Sequence, residues 1–161
     1  MSQTNNPSVT IKNLESAFAG ESMAHIKYRY FAKLSREMGD EGTAKAFEAT
    51  ADQELMHAFG HLDLLYPKKK MTPAKALEIA IEGETYEYTE MYPKFRHLAV
   101  EEGNSAAVAE FDEQIAESKE HAAQFQAVLE KEVLKVKLTL FDMHEKKIFL
   151  FLVFVLECKW L

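Results

Sequence analysis

Gly20-Glu21-Ser22-Met23-Ala24 and Gly83-Glu84-Thr85-Tyr86-Glu87 are two acidic stretches built alike and set 83 − 20 = 63 residues apart. Each lies on an apolar stripe of helical period. Each is followed about thirty residues later by a Glu with a His roughly one turn further on, Glu54 with His57 and Glu117 with His121. Carboxylates at stripe positions decide the reading. Burying an unpaired charge costs several kcal/mol, so a chain that places acids where leucines belong has something that compensates them. A centre of two metal ions compensates all of them at once.

Working outward, Leu14, Phe18, Glu21, Ala24, Tyr28, Phe31 and Ser35 recur at steps of three and four and predict a helix over roughly 10–38. Gly39-Asp40-Glu41-Gly42 breaks it. A second stripe, Ala44, Phe47, Ala51, Glu54, Ala58, His61 and Leu65, ends near Tyr66-Pro67, because the residue before a proline resists helical geometry. Thr72-Pro73 restarts a helix with a capping side chain and a proline at the first helical position. Its stripe is Leu77, Ala80, Glu84, Glu87, Met91 and Phe95, and Pro93 inside it predicts a kink. Gly103-Asn104 ends this third helix, and Val108, Phe111, Ile115, Ser118, Ala122, Phe125 and Leu129 carry a fourth.

The halves form an internal repeat. Leu14, Ala17, Gly20, Glu21 and Glu54 map onto Leu77, Ala80, Gly83, Glu84 and Glu117 at an offset of 63, and His57 onto His121 at 64. Duplication of one helical hairpin completes a four-helix bundle. Glu21 lies 19 residues before Asp40 and Glu54 lies 14 after it; Glu87 lies 16 before Gly103 and Glu117 lies 14 after it. At about 1.5 Å per residue the mismatches amount to roughly 3–8 Å, so one mid-bundle site is expected to collect side chains from all four helices. The expected organisation is a disordered lead over 1–9, a bundle over 10–132 and an atypical tail over 133–161.

The totals agree. A chain of 161 residues with 47% apolar content builds one good core, and six glycines and four prolines are few, which favours long helices. A net charge of −7 disfavours a nucleic-acid partner. The single cysteine, Cys158, excludes an intrachain disulfide and a four-thiolate metal site, and points to a reducing, cytoplasmic setting. The N-terminus lacks the apolar core of a signal peptide. In the tail, residues 148–156 (IFLFLVFVL) are too few to span a membrane, which needs about 20 such residues. The run is either an added helix or strand packed on the bundle or on a second subunit, or the product of a shifted reading frame or unspliced message.

A lone Glu-x-x-His is a weak signal, and the chain holds one, Glu54 to His57. Convergence strengthens it, since Glu21, Glu54, Glu84 and Glu87 all occupy stripe positions at matched depth. On the fourth helix the stripe position is Ser118. Glu117 and His121 flank it, so Glu117 is the candidate carboxylate there, Glu120 the poorer one and His121 the nitrogen ligand. His25 reads as a packed or supporting histidine, and His61, His97 and His144 as structural or exposed. Glu and His donors without thiolate favour iron or manganese over structural zinc, and the number of carboxylates favours two ions. Tyr28 and Tyr92 either fill the core or offer hydroxyls to the site.

These stretches resemble a known family. Residues 18–24 (FAGESMA), 54–62 (ELMHAFGHL) and 83–93 (GETYEYTEMYP) are similar to the corresponding helices of rubrerythrins, and the likeness covers about residues 10–131. The resemblance implies an all-α, ferritin-like fold and a non-haem di-iron peroxidase that reduces hydrogen peroxide to water in oxidative-stress defence, usually as a homodimer. It implies Glu21, Glu54, Glu84 and Glu87 as iron ligands. His57 and Glu87 are implied to alternate at one iron as its redox state changes, and Tyr28 and Tyr92 to act as hydroxyl donors beside the ligands. Two departures stand out. The family places a Glu three residues before the last histidine, where this chain has Ser118. Many members also carry a rubredoxin-like domain with four cysteines, so this chain resembles the short form and needs an external reductant such as a rubredoxin-type carrier. The rival readings are ferritin-like iron binding without peroxide turnover and a purely structural bundle that binds no metal.

Overall fold

The computed structural model describes residues 8–157, with side chains as far as Lys137. The described residues are all-α and contain no strand. They divide into two units meeting between Met71 and Thr72. The first contains α1 (Val9–Glu37), α2 (Glu41–Leu65) and a short 3-10 turn (Lys68–Lys70). The second contains α3 (Pro73–Tyr86), a π-helical turn (Glu87–Met91), α4 (Tyr92–Glu101) and α5 (Ser105–Glu157). The class expected from the sequence, all-α from two repeated helical hairpins, is what these residues form.

Both hairpin turns are closed by the same device. After α1, Gly39 takes a φ of 82°, the Gly39 N–H donates to the Arg36 carbonyl (3.0 Å) and the Asp40 N–H to that of Ser35 (2.9 Å). After α4, Gly103 takes a φ of 71°, with Gly103 donating to Val100 (3.1 Å) and Asn104 to Ala99 (2.9 Å). A left-handed residue at this place satisfies the last helical carbonyls, and only glycine adopts it without strain. The residue that ends one helix then caps the next. Asp40 accepts from the Thr43 N–H (2.9 Å) and Asn104 from the Ala107 N–H (3.1 Å).

In the first unit the helices meet through small side chains. Ala44, Ala51 and Ala58 on α2 are spaced by sevens and, with Ala32 on α1, are at most 4% exposed. Methyl groups at this spacing let two helices approach closely. The His25 ring uses the proximity, its Nδ1 lying 2.7 Å from the Ala51 carbonyl. Among the described residues of the second unit, Ala99, Ser118 and Ala122 are buried.

The third predicted helix runs without a break from α3 into α4 and carries a π-helical turn just ahead of Pro93. Pro93 has no N–H to give the carbonyl four residues back, and its ring crowds that carbonyl. The chain widens ahead of it: the Tyr92 N–H reaches back five residues to the Glu87 carbonyl, a π-type bond. The Thr89 hydroxyl donates to the Thr85 carbonyl at 2.6 Å alongside. One extra residue is thereby stored in the turn.

That extra residue resets the repeat. Gly20 and Gly83 differ by 63, whereas Gly39 and Gly103 differ by 64, as do Tyr28 and Tyr92, Phe31 and Phe95, and Phe47 and Phe111. The rings confirm the register. Tyr28 and Phe31 stand 5.8 and 5.6 Å from Phe47, and Tyr92 and Phe95 stand 6.1 and 5.9 Å from Phe111. The offset therefore changes between Glu84 and Tyr92 and is 64 where α5 matches α2.

α5 passes residue 132 without interruption and its backbone stays helical to Glu157. The apolar run over 148–156 lies outside the described side chains, as residues 1–7 lie outside the described backbone. Among the described residues no helix is long and apolar enough to cross a membrane.

Candidate metal centre

In the first unit α1 contributes Glu21, and α2 contributes Glu54 and His57 three residues apart, on one face of the helix. One ligand atom from each of the three lies within 4.8 Å of the others. The His57 Nδ1 is 3.0 Å from Glu54 Oε2, which orients the ring. Glu54 is largely covered, its side chain 18% exposed, and His57 is open at 60%.

Two carboxyls this close divide their protons unequally. Hydrogen bonding with Glu54, then lost hydration and the like charge, pushes Glu21 above the usual carboxylate range. The same bond, joined by His57, holds Glu54 below it. In the metal-free protein Glu21 is thus the acid that keeps its proton longer. His61, one turn beyond His57, also faces this group and pulls Glu21 the other way. Its place on the α2 stripe was visible in the sequence, but the carboxyl its charge acts on is on α1, so no spacing along α2 revealed that influence.

The second unit presents its donors as two pairs. Glu84 Oε2 is buried without a hydrogen-bond partner among the described residues, and the His121 Nδ1 stands off it at 3.5 Å. Glu87, at the start of the π-turn, accepts a hydrogen bond from Ser118, Oγ to Oε2 2.9 Å. Ser118 is 3% exposed. Burial, followed by the charges of Glu87 and Glu84, raises the Tyr92 hydroxyl above its ordinary range, so it remains a proton donor beside them. Glu117 and Glu120 are exposed on α5. With the offset at 64, Glu54 corresponds to Ser118, His57 to His121 and Ala58 to Ala122.

The Rubrerythrin family model matches residues 12–73 and 63–129. The chain belongs to the rubrerythrin family. Among its relatives, nigerythrin of Nitratidesulfovibrio vulgaris is 38% identical over 73% of this chain and 64% of its own length. Rubrerythrin of the same organism is 40% identical over 58% of this chain and 55% of its own. Rubrerythrin of Porphyromonas gingivalis is 35% identical over 76% of this chain and 66% of its own. The chain thus spans between about half and two-thirds of the length of these rubrerythrin relatives.

The donors fit iron in the first unit. Two carboxylates and an imidazole converge there, a donor set compatible with it. The orphaned Glu84 oxygen marks the same need in the second unit, since a buried acceptor without a donor is costly. Here, however, the α5 carboxylate is replaced by a hydroxyl.

Proposed function

We propose that this rubrerythrin-family chain is a non-haem di-iron peroxidase that reduces hydrogen peroxide to water, in oxidative-stress defence in a reducing, cytoplasmic compartment. The observation that carries the reading is the convergence of Glu21, Glu54 and His57. The proposed ligands are these three with Glu84, Glu87 and His121. Iron, when bound, supplies the two electrons and the Lewis acidity that carry one peroxide and two protons to two waters. A rubredoxin-type carrier or similar external reductant restores the electrons, and the working unit is a homodimer.

The chain's own residues manage protons and position. Deprotonation of Glu21 accompanies metal binding, because a ligand carboxylate must be ionised. The His57 ring, held at Nδ1 by Glu54, is pre-oriented to offer its other nitrogen. Tyr92, kept protonated beside Glu87, is the hydroxyl closest in character to a proton donor for peroxide oxygen. Tyr28 holds the corresponding place in the first unit.

The test is the double variant E54Q/H57A. Its iron-dependent peroxide turnover should fall to background while far-UV circular dichroism stays unchanged; turnover at the parent rate refutes the reading. Ferrous protein should also oxidise faster with peroxide than with dioxygen, and the reverse order would favour ferritin-like storage.

A further inference from the structure

Glu54, His57 and His61 follow one another along α2 at steps of three and four residues, and so share a face of the helix. Two histidines four residues apart on a helix stand about 5–6 Å apart at their Cβ atoms and can chelate one ion. His61 is half-buried, and its ring makes no hydrogen bond among the described residues. A part-covered imidazole left without a partner is short of a donor or an acceptor. Its surroundings supply acid, since its charge acts on the Glu21 carboxyl of α1, as that of His57 does. His57, for its part, has its Nδ1 on Glu54 Oε2 at 3.0 Å. A carboxylate on one ring nitrogen is the usual support of a metal-binding imidazole, because it sets the tautomer and makes the other nitrogen the ligand. We propose that the first unit holds a further cation position, one turn along α2 from the group of Glu21, Glu54 and His57, where His57 and His61 are the imidazole ligands, Glu21 is the carboxylate ligand and Glu54 supports His57.

All four residues belong to the first unit, so this position stands without the di-iron reading. Two imidazoles and one carboxylate form a set that takes zinc, with a fourth place left to water. The neighbouring group, with two carboxylates and one imidazole, is harder and suits iron or manganese better. The two positions share Glu21 and His57, so an ion in one excludes an ion in the other. The face of α2 thus sorts cations by softness, and zinc is expected to compete with the metal of the proposed peroxidase centre.

Titration of the full metal-free chain with Zn(II), followed by calorimetry and by nitrogen-15 NMR of the histidine rings, tests this. The ring nitrogens of His57 and His61 should shift together in the same binding step. H61A should weaken that step by at least about tenfold, since loss of a mere supporting group already costs about 10–100-fold. H61L, which fills the space without offering a donor, should behave as H61A. Mn(II) binding, read by electron paramagnetic resonance, should stay as in the parent for both variants. A zinc-induced shift of His57 without His61, or variants that bind Zn(II) as the parent does, overturns the inference and leaves the proposed iron centre standing. An equal loss of Zn(II) and Mn(II) also overturns it, because it would make His61 a packing residue. The ring shifts are read on the parent itself, so the test survives if a variant fails to fold.

Discussion

The seam residues of α2 are three alanines, whereas one of the three matching positions on α5 is alanine. Along α2 the seam is Ala44, Ala51 and Ala58, and at the same levels α5 has Val108, Ile115 and Ala122. The turns, caps and aromatic triads are otherwise nearly interchangeable between the units. A duplicated hairpin has thus kept its ends and its ring cluster while its seam and its donors diverged. What is retained is what sets the path of the chain; what has changed is what the helices hold between them.

The sharpest way to break this contrast is to give the first unit the second unit's seam. Ala51→Ile puts a branched side chain where Ala51 is 0% exposed and its carbonyl bonds His25. Overpacking of this kind should destabilise the protein by about 1–3 kcal/mol in denaturant unfolding, whereas Ile115→Val on α5 should cost less, about 1 kcal/mol. The turns test the opposite expectation, that the units are alike. Gly39→Ala and Gly103→Ala each force an L side chain into the left-handed region and should each cost about 1–2 kcal/mol, with equal shifts in melting temperature. A clear inequality between them would show that the shared turn geometry does not carry shared energetics.

The smallest effect separates the caps by pH. Bonds from the Thr43 backbone and hydroxyl hold Asp40 below its ordinary value, while the equivalent Asn104 does not titrate. A carboxyl depressed in the folded state contributes stability above its unfolded pKa of about 3.9 and loses it as pH falls through the lower folded value. Acid should therefore loosen the start of α2 before that of α5. Hydrogen exchange at Thr43 and Ala107 across that window should show it, and Asp40→Asn should abolish the difference.

The sequence carried the helices because their signals are local. Thr72-Pro73 starts one, and the Gly-Asp and Gly-Asn pairs at 39–40 and 103–104 stop and restart others. Glu21 and Glu54 stood out as stripe positions at matched depth, and His57 by its three-residue spacing from Glu54. Two things were not legible. The π-turn was hidden because Pro93 announces a disturbance without saying whether the chain bends or widens. With the extra residue unplaced, the offset of 63 extended too far and aligned Glu54 with Glu117 in place of Ser118. The Ser118 to Glu87 bond was illegible for a further reason, since it joins residues 31 apart that only the folded second unit brings together.

The widened turn at 87–91 also bears on how such halves diverge. In a regular helix one added residue rotates everything after it by about 100°, which would carry Tyr92 and Phe95 away from Phe111. Stored as a bulge, the same insertion leaves the downstream rings in phase. A single-codon event can therefore be tolerated in one copy of a duplicated hairpin, and the position it opens is free to take up a new chemical role. Glu87 is the first residue of that turn.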